Sequence, residues 1–267
     1  MMKFSYVAAA FLAFALPATA HAANTVTFDG TCTSASGPVT TQAKCTSVAG
    51  AAGSVTIQGT NDSTLKVMIT AWQANQATSG ANAGKVTAAN LGAYSGGFGV
   101  TGLGDQNGDN NYHQIDNAGG YTDFVLLQFS RAVQLTSATL NEYGLPGGST
   151  DSDLSYLNLG PLIAAPAQWN STINLASLVN NTALWTQNNG TGDRTATLNT
   201  SAFSQVWLIS AAQLPTNDRD DGFKLSKIIV NATPSVPEPA TWAMLMIGFG
   251  AIGATLRRRK SGALLTA

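Results

Sequence analysis

A charge-free run of seventeen residues, Ala240 to Leu256, lies between Pro237-Glu238-Pro239 and a cationic cluster of Arg257, Arg258, Arg259 and Lys260. In lipid such a run must satisfy its own backbone, which a helix does within one segment. As a helix it is about 25 Å long, the short end of what spans a bilayer. Trp242 falls where an interfacial aromatic belongs, and the cationic cluster stays cytoplasmic by the positive-inside rule. The pattern predicts one C-terminal transmembrane helix, with everything before Pro237 on the far side of the membrane.

The opening residues agree with that orientation. Lys3 is followed by an apolar stretch from Val7 to Leu16 and by the small-residue exit Ala20-His21-Ala22. This is the layout of a cleaved secretion signal over 1–22, and its apolar part is too short to cross a bilayer as a helix.

In full, the closing segment reads PEPATWAMLMIGFGAIGATLRRRK. Over residues 236–260 it resembles the PEP-CTERM sorting signal, with Pro237, Glu238 and Pro239 as the motif. The resemblance implies recognition by an exosortase, a membrane-embedded cysteine transpeptidase-like enzyme, and removal of the tail near the Pro-Glu-Pro element. It also implies a Gram-negative setting in which exopolysaccharide is made. An ordinary single-span anchor is the alternative. Gly248, Gly250 and Gly253 match G-x-G-x-x-G, but inside an apolar helix they do not follow a strand as a dinucleotide loop must.

Between the two ends, 23–233 reads as one domain. Only 10% of the residues are charged, against about 25% in an average soluble domain, and Thr, Ser, Asn and Gly fill the gap. Setting aside Lys3, Glu238 and the four cations at 257–260 leaves eight basic and thirteen acidic side chains, a charge of −5. Such a domain has no electrostatic footprint for nucleic acid.

Strand-length apolar or alternating segments cover Ser54–Gly59, Leu65–Trp72, Phe124–Phe129, Ala138–Tyr143, Leu154–Leu159, Val206–Ser210 and Phe223–Val230. On Leu65–Trp72, Val67, Ile69 and Ala71 share a face. The pattern predicts an all-β, antiparallel, jelly-roll-like β-sandwich. Ala176–Leu184 reads as a short helix, and the glycine-rich stretch 90–104 as a loop over one end. His113–Asn117, Asp123–Phe129, Asp151–Ser155 and Asp220–Leu225 resemble segments in ectodomains of exosortase-dependent surface proteins, which implies a surface protein without assigned chemistry.

Candidate chemistry is sparse. Cys32 and Cys45, with twelve residues between them, read as a local disulfide in an oxidising compartment or as two buried thiols. His113, the one histidine after the signal, has no nucleophile to serve, and no G-x-S-x-G elbow exists. Asp105, Asn107 and Asp109 alternate on a glycine-containing loop, a pattern that suits a structural calcium and equally suits solvated turns. Trp169 and Trp185 sit among polar residues, placed for sugar stacking or for lids over a core edge, whereas Trp207, between Val206 and Leu208, reads as core. The sequence therefore points to an exported, non-catalytic surface or matrix protein, with a secreted carbohydrate-binding module that attaches to exopolysaccharide as the alternative.

Overall fold

The computed structural model describes residues 24–33, 42–44, 54–77, 79–102, 105, 113–142, 152–160, 183–185, 192–198, 200–212, 221–233 and 239–262. Fourteen strands precede one helix among them. They are β1 (Asn24–Thr33), β2 (Gln42–Lys44), β3 (Ser54–Gln58), β4 (Lys66–Asn75), β5 (Val86–Ala88), β6 (Asn90–Tyr94) and β7 (Gly97–Thr101). Then come β8 (Ile115–Asp116), β9 (Tyr121–Glu142), β10 (Leu154–Gly160), β11 (Ala183–Trp185), β12 (Gly192–Thr197), β13 (Ser204–Ala211) and β14 (Gly222–Ala232). The helix is α1 (Pro239–Gly262).

Antiparallel β-structure is what the sequence predicts, but the organiser is a single strand that the sequence splits in two. Phe124–Phe129 and Ala138–Tyr143 read as separate strands; both fall on the 22-residue β9, apart from Tyr143, which lies beyond the described residues. The N-terminal half of β9 pairs with β4 on one edge and with β13 on the other. Its C-terminal half pairs with β14 and β12 instead. The hand-over falls at Val133, which pairs with both Ser204 and Ala232. One hydrogen-bonded path therefore runs β11-β10-β13-β9-β14-β1-β2. Its ladders are antiparallel except for the parallel β1/β2 pair.

Strand residues alternate between faces, and here both sets of strands turn a face to one core. Val67, Ile69 and Ala71 of β4, Val125, Leu127 and Phe129 of β9, and Trp207 and Ile209 of β13 come from the first set. Val26 and Phe28 of β1, and Leu225, Ile228 and Val230 of β14, come from the second. Phe28 and Phe129 meet edge to face across the core, ring centroids 5.5 Å apart, an arrangement aromatic pairs favour. The intervening residues of the first set, Trp72, Phe124, Leu126 and Leu208, form a smaller cluster on the opposite face.

Two local expectations are corrected. The stretch 90–104 is not a loop through most of its length, because Asn90–Thr101 forms the β6/β7 hairpin. Glycine reads as a turn signal in the sequence, yet here it permits close approach. A Cβ on Gly97 would sit 2.4 Å from the Leu225 carbonyl oxygen, and the residue has φ of 117°. Of the helix read over 176–184, Ala183 and Leu184 instead begin β11, where ladder bonding to β10 overrides helical propensity; 176–182 lie outside the described residues.

The β3–β4 turn shows how polar residues close the ladder. Asp62 Oδ1 accepts hydrogen bonds from the Thr64 amide at 3.0 Å and the Thr64 hydroxyl at 2.6 Å, and Arg131 reaches Oδ2. These contacts, the Thr64 hydroxyl foremost, hold the Asp62 carboxyl below the usual carboxylate range.

Candidate functional site

The end of β7, the β8 strand and the start of β9 bring three carboxylates together. Asp105, Asp116 and Asp123 each offer an oxygen, and the three oxygens lie within 4.8 Å of one another. Asp116 is 2% exposed and Asp123 3%. Asp123 is placed there by the β9 ladder, opposite Gln73 of β4. Asp116 is placed by pairing of β8 with Gly222 of β14. The Gly102 amide donates to Asp105 Oδ2, and the Ala118 amide donates to Asp116 Oδ1 at 3.0 Å.

Burial of like charges dominates the electrostatics. It pushes the Asp105 carboxyl up to about 6, against the opposing hydrogen bond from Gly102. Asp123 is driven well above the ordinary carboxylate range, first by burial and then by Asp116 and Asp105. Gln73, fully buried, borders the cluster. Its Nε2 donates to Thr87 Oγ1 at 2.9 Å, which leaves Oε1 turned toward Gly102. A Cβ on Gly102 would lie 1.8 Å from that Oε1 and 3.4 Å from Asp123 Oδ1. Glycine at 102 is what lets the two oxygens share this space.

A second polar group adjoins the first. The His113 ring stacks on Tyr94 with centroids 5.6 Å apart, and its Nδ1 is 2.9 Å from Thr101 Oγ1. Lys224 Nζ lies over the other ring of this pair, 4.7 Å from the Tyr94 centroid, a cation–π contact. Burial lowers the His113 pKa, with Lys224 adding to the effect, and burial also lowers that of Lys224. Both bases are thereby shifted toward their neutral forms. Tyr94 moves up through burial, opposed by its hydrogen bond with Thr101.

Next to these, Asn117 latches three segments. Its Nδ2 donates to the Ala212 carbonyl at 2.7 Å and to Asp221 Oδ2 at 2.9 Å, while Asp221 Oδ1 accepts from the Asp153 amide at 3.0 Å. Asp221 and the backbone of Asp153 are thus built into the loop scaffold.

Of the cation loop expected at Asp105, Asn107 and Asp109, only Asp105 is described. It meets Asp116 and Asp123, neither of which the spacing flagged. Cys32 lies on β1, and Cys45 is outside the described residues. Trp169 is outside as well, while Trp185 occupies β11 opposite Leu154. Trp207 is core, as expected, 2% exposed.

In the tail, Pro237 and Glu238 lie outside the described residues. Pro239 opens α1, a position where the missing amide costs nothing. Arg257, Arg258, Arg259 and Lys260 occupy its closing turns, where cations complement the helix dipole. Met244, Met246, Ile247, Phe249 and Ile252 are each more than half exposed. Among the described residues no helix is long and apolar enough to cross a membrane. The transmembrane expectation for 240–256 is thus not confirmed by the described helix.

Residues 235–260 match the PEP-CTERM protein-sorting motif. The chain is therefore exported and carries a C-terminal sorting signal. That motif marks a substrate for an exosortase-type membrane enzyme. No curated protein and no solved structure matches the chain.

Proposed function

We propose that the chain is a non-catalytic component of the cell surface or extracellular matrix, displayed as a jelly-roll-like β-domain after its tail is processed. The observation that carries this reading is the motif at 235–260 coinciding with a helix that starts at Pro239 and ends in four cations. The exposed apolar side chains of α1 suit a stage held in the inner membrane, with the cations on the cytoplasmic side. His113 supports the non-catalytic reading, since its ring is committed to Thr101 and Tyr94.

The test is intact-mass analysis of protein recovered from producing cells. We expect loss of 1–22 and a C-terminus near Pro237, and we expect the triple change Pro237→Ala, Glu238→Ala, Pro239→Ala to leave the tail attached. Full-length protein through Ala267 from the unaltered gene would refute processing. The same spectrum reads the proposed Cys32–Cys45 disulfide as a mass lighter by two hydrogens than the reduced form.

A second reading has exopolysaccharide as ligand. It draws on Trp185 lying on β11, the terminal strand of the path, and on the stacking of aromatic faces against sugar rings. Glycan-array binding abolished by Trp185→Ala or Trp169→Ala would favour it, and absence of binding to any glycan would remove it.

A further inference from the structure

We propose that Asp105, Asp116 and Asp123 bind one calcium ion, which ties the end of β7 to β8 and β9. Three carboxylates held within 4.8 Å in a buried place repel one another unless protonated or neutralised by a cation. The Asp105 carboxylate accepts a hydrogen bond from the Gly102 amide, and the Asp116 carboxylate accepts one from the Ala118 amide. Asp123, 3% exposed, receives none among the described residues, and what surrounds its charge is low-polarity protein and the other two acids. Its carboxylate thus faces the cluster with no donor among the described residues.

Gln73 supplies an independent pointer. Its amide is oriented by Thr87, so its Oε1 and Asp123 Oδ1 flank the same point beside Gly102. A neutral carbonyl oxygen next to acidic ones, without nitrogen or sulfur, is a donor set for a hard cation.

Calcium suits a site of carboxylate and amide oxygens in irregular array. Ca–O bonds of 2.3–2.6 Å place oxygens on opposite sides of one ion roughly 4.6–5.2 Å apart. The three oxygens, all within 4.8 Å of one another, are close enough to share one such ion. Magnesium, at about 2.0–2.1 Å in a strict octahedron, asks for a tighter set and retains its waters. The site does not depend on the sorting tail, so it stands or falls separately from the proposed surface role.

The experiment uses the full chain, stripped with EDTA and titrated with calcium chloride, with isothermal calorimetry and thermal unfolding as readouts. We expect saturable binding at one ion per chain. At a hundredfold excess over Kd the unfolding midpoint should rise by roughly 5–10 °C. Asp123→Asn should lose the calorimetric signal and the shift. Without calcium it should melt no lower than the unaltered protein, because it removes a buried like charge. Asp105→Asn, at the more accessible edge, provides a second variant with the same expected loss. An unchanged midpoint on adding calcium, or a full shift retained in both variants, overturns the proposal. An equal shift with magnesium at the same concentration overturns the assignment to calcium.

Discussion

Trp207→Ala should destabilise the domain by about 3–5 kcal/mol, the range for deleting a large buried aromatic. The indole is 2% exposed and lies on β13, with Asn158 of β10 and Leu127 of β9 opposite it in the two ladders. Its N–H donates to the Val133 carbonyl at 3.1 Å. Val133 is the residue at which β9 leaves β13 and takes up β14. Alanine therefore opens a cavity in the core and strips a donor from the point where the strand changes partners. Trp207→Phe keeps most of the apolar volume and should cost less, about 1–2 kcal/mol, mainly through the lost hydrogen bond. Urea unfolding measures both. A loss under about 1 kcal/mol for the alanine variant would show that this indole does not hold the point where β9 changes partners.

The parts of the fold legible in the sequence are those where local pattern and burial agree. Val67, Ile69 and Ala71 alternate with polar neighbours, so their common face is visible without knowing their partners, and all three are in the core. Trp207 is flanked by apolar residues on a strand and is buried as that context predicts. The joining of two apolar segments into β9 is not legible, because Ser130-Arg131-Ala132 between them carries an ordinary break in hydrophobicity. What keeps that break extended is the ladder to β4, β13 and β14, and this is long-range information.

The acidic cluster is hidden for a related reason. Asp123 reads as the polar start of an apolar strand, and Asp116 as a turn residue after His113. Their meeting is fixed by two different ladders, one to Gln73 and one to Gly222. Spacing along the chain flags the alternation Asp105, Asn107, Asp109, and of these Asp105 is a member of the cluster. Gly102 carried a signal that could have been used, since a glycine between a strand end and an aspartate often marks a crowded backbone. The sorting tail is the opposite case. Its motif, apolar run and cations are contiguous, so sequence alone suffices.

Gly99→Ala tests whether the crowding around this cluster is real. We expect a loss of about 3 kcal/mol, the upper part of the range for overpacking. Gly99 is not among the positive-φ glycines, so the penalty is steric. The new methyl would sit 2.0 Å from the His113 carbonyl oxygen and 2.8 Å from its carbon, and a backbone group cannot swing aside as a side chain can. The 113–116 segment must move outward, against the Val100 amide bond to the Gln114 carbonyl at 3.3 Å. That displacement carries Asp116 away from Asp105 and Asp123, so calcium affinity should fall at least about tenfold along with stability. Gly80→Ala is the control. Gly80 has φ of 94° with nothing within 4 Å of its would-be Cβ, so alanine there meets only backbone strain of about 1 kcal/mol. Unfolding midpoints of the two variants, with and without calcium, separate the cases. If Gly99→Ala proves no more costly than Gly80→Ala, the β7 strand does not press on the 113–116 segment, and the three carboxylates are not held together by it.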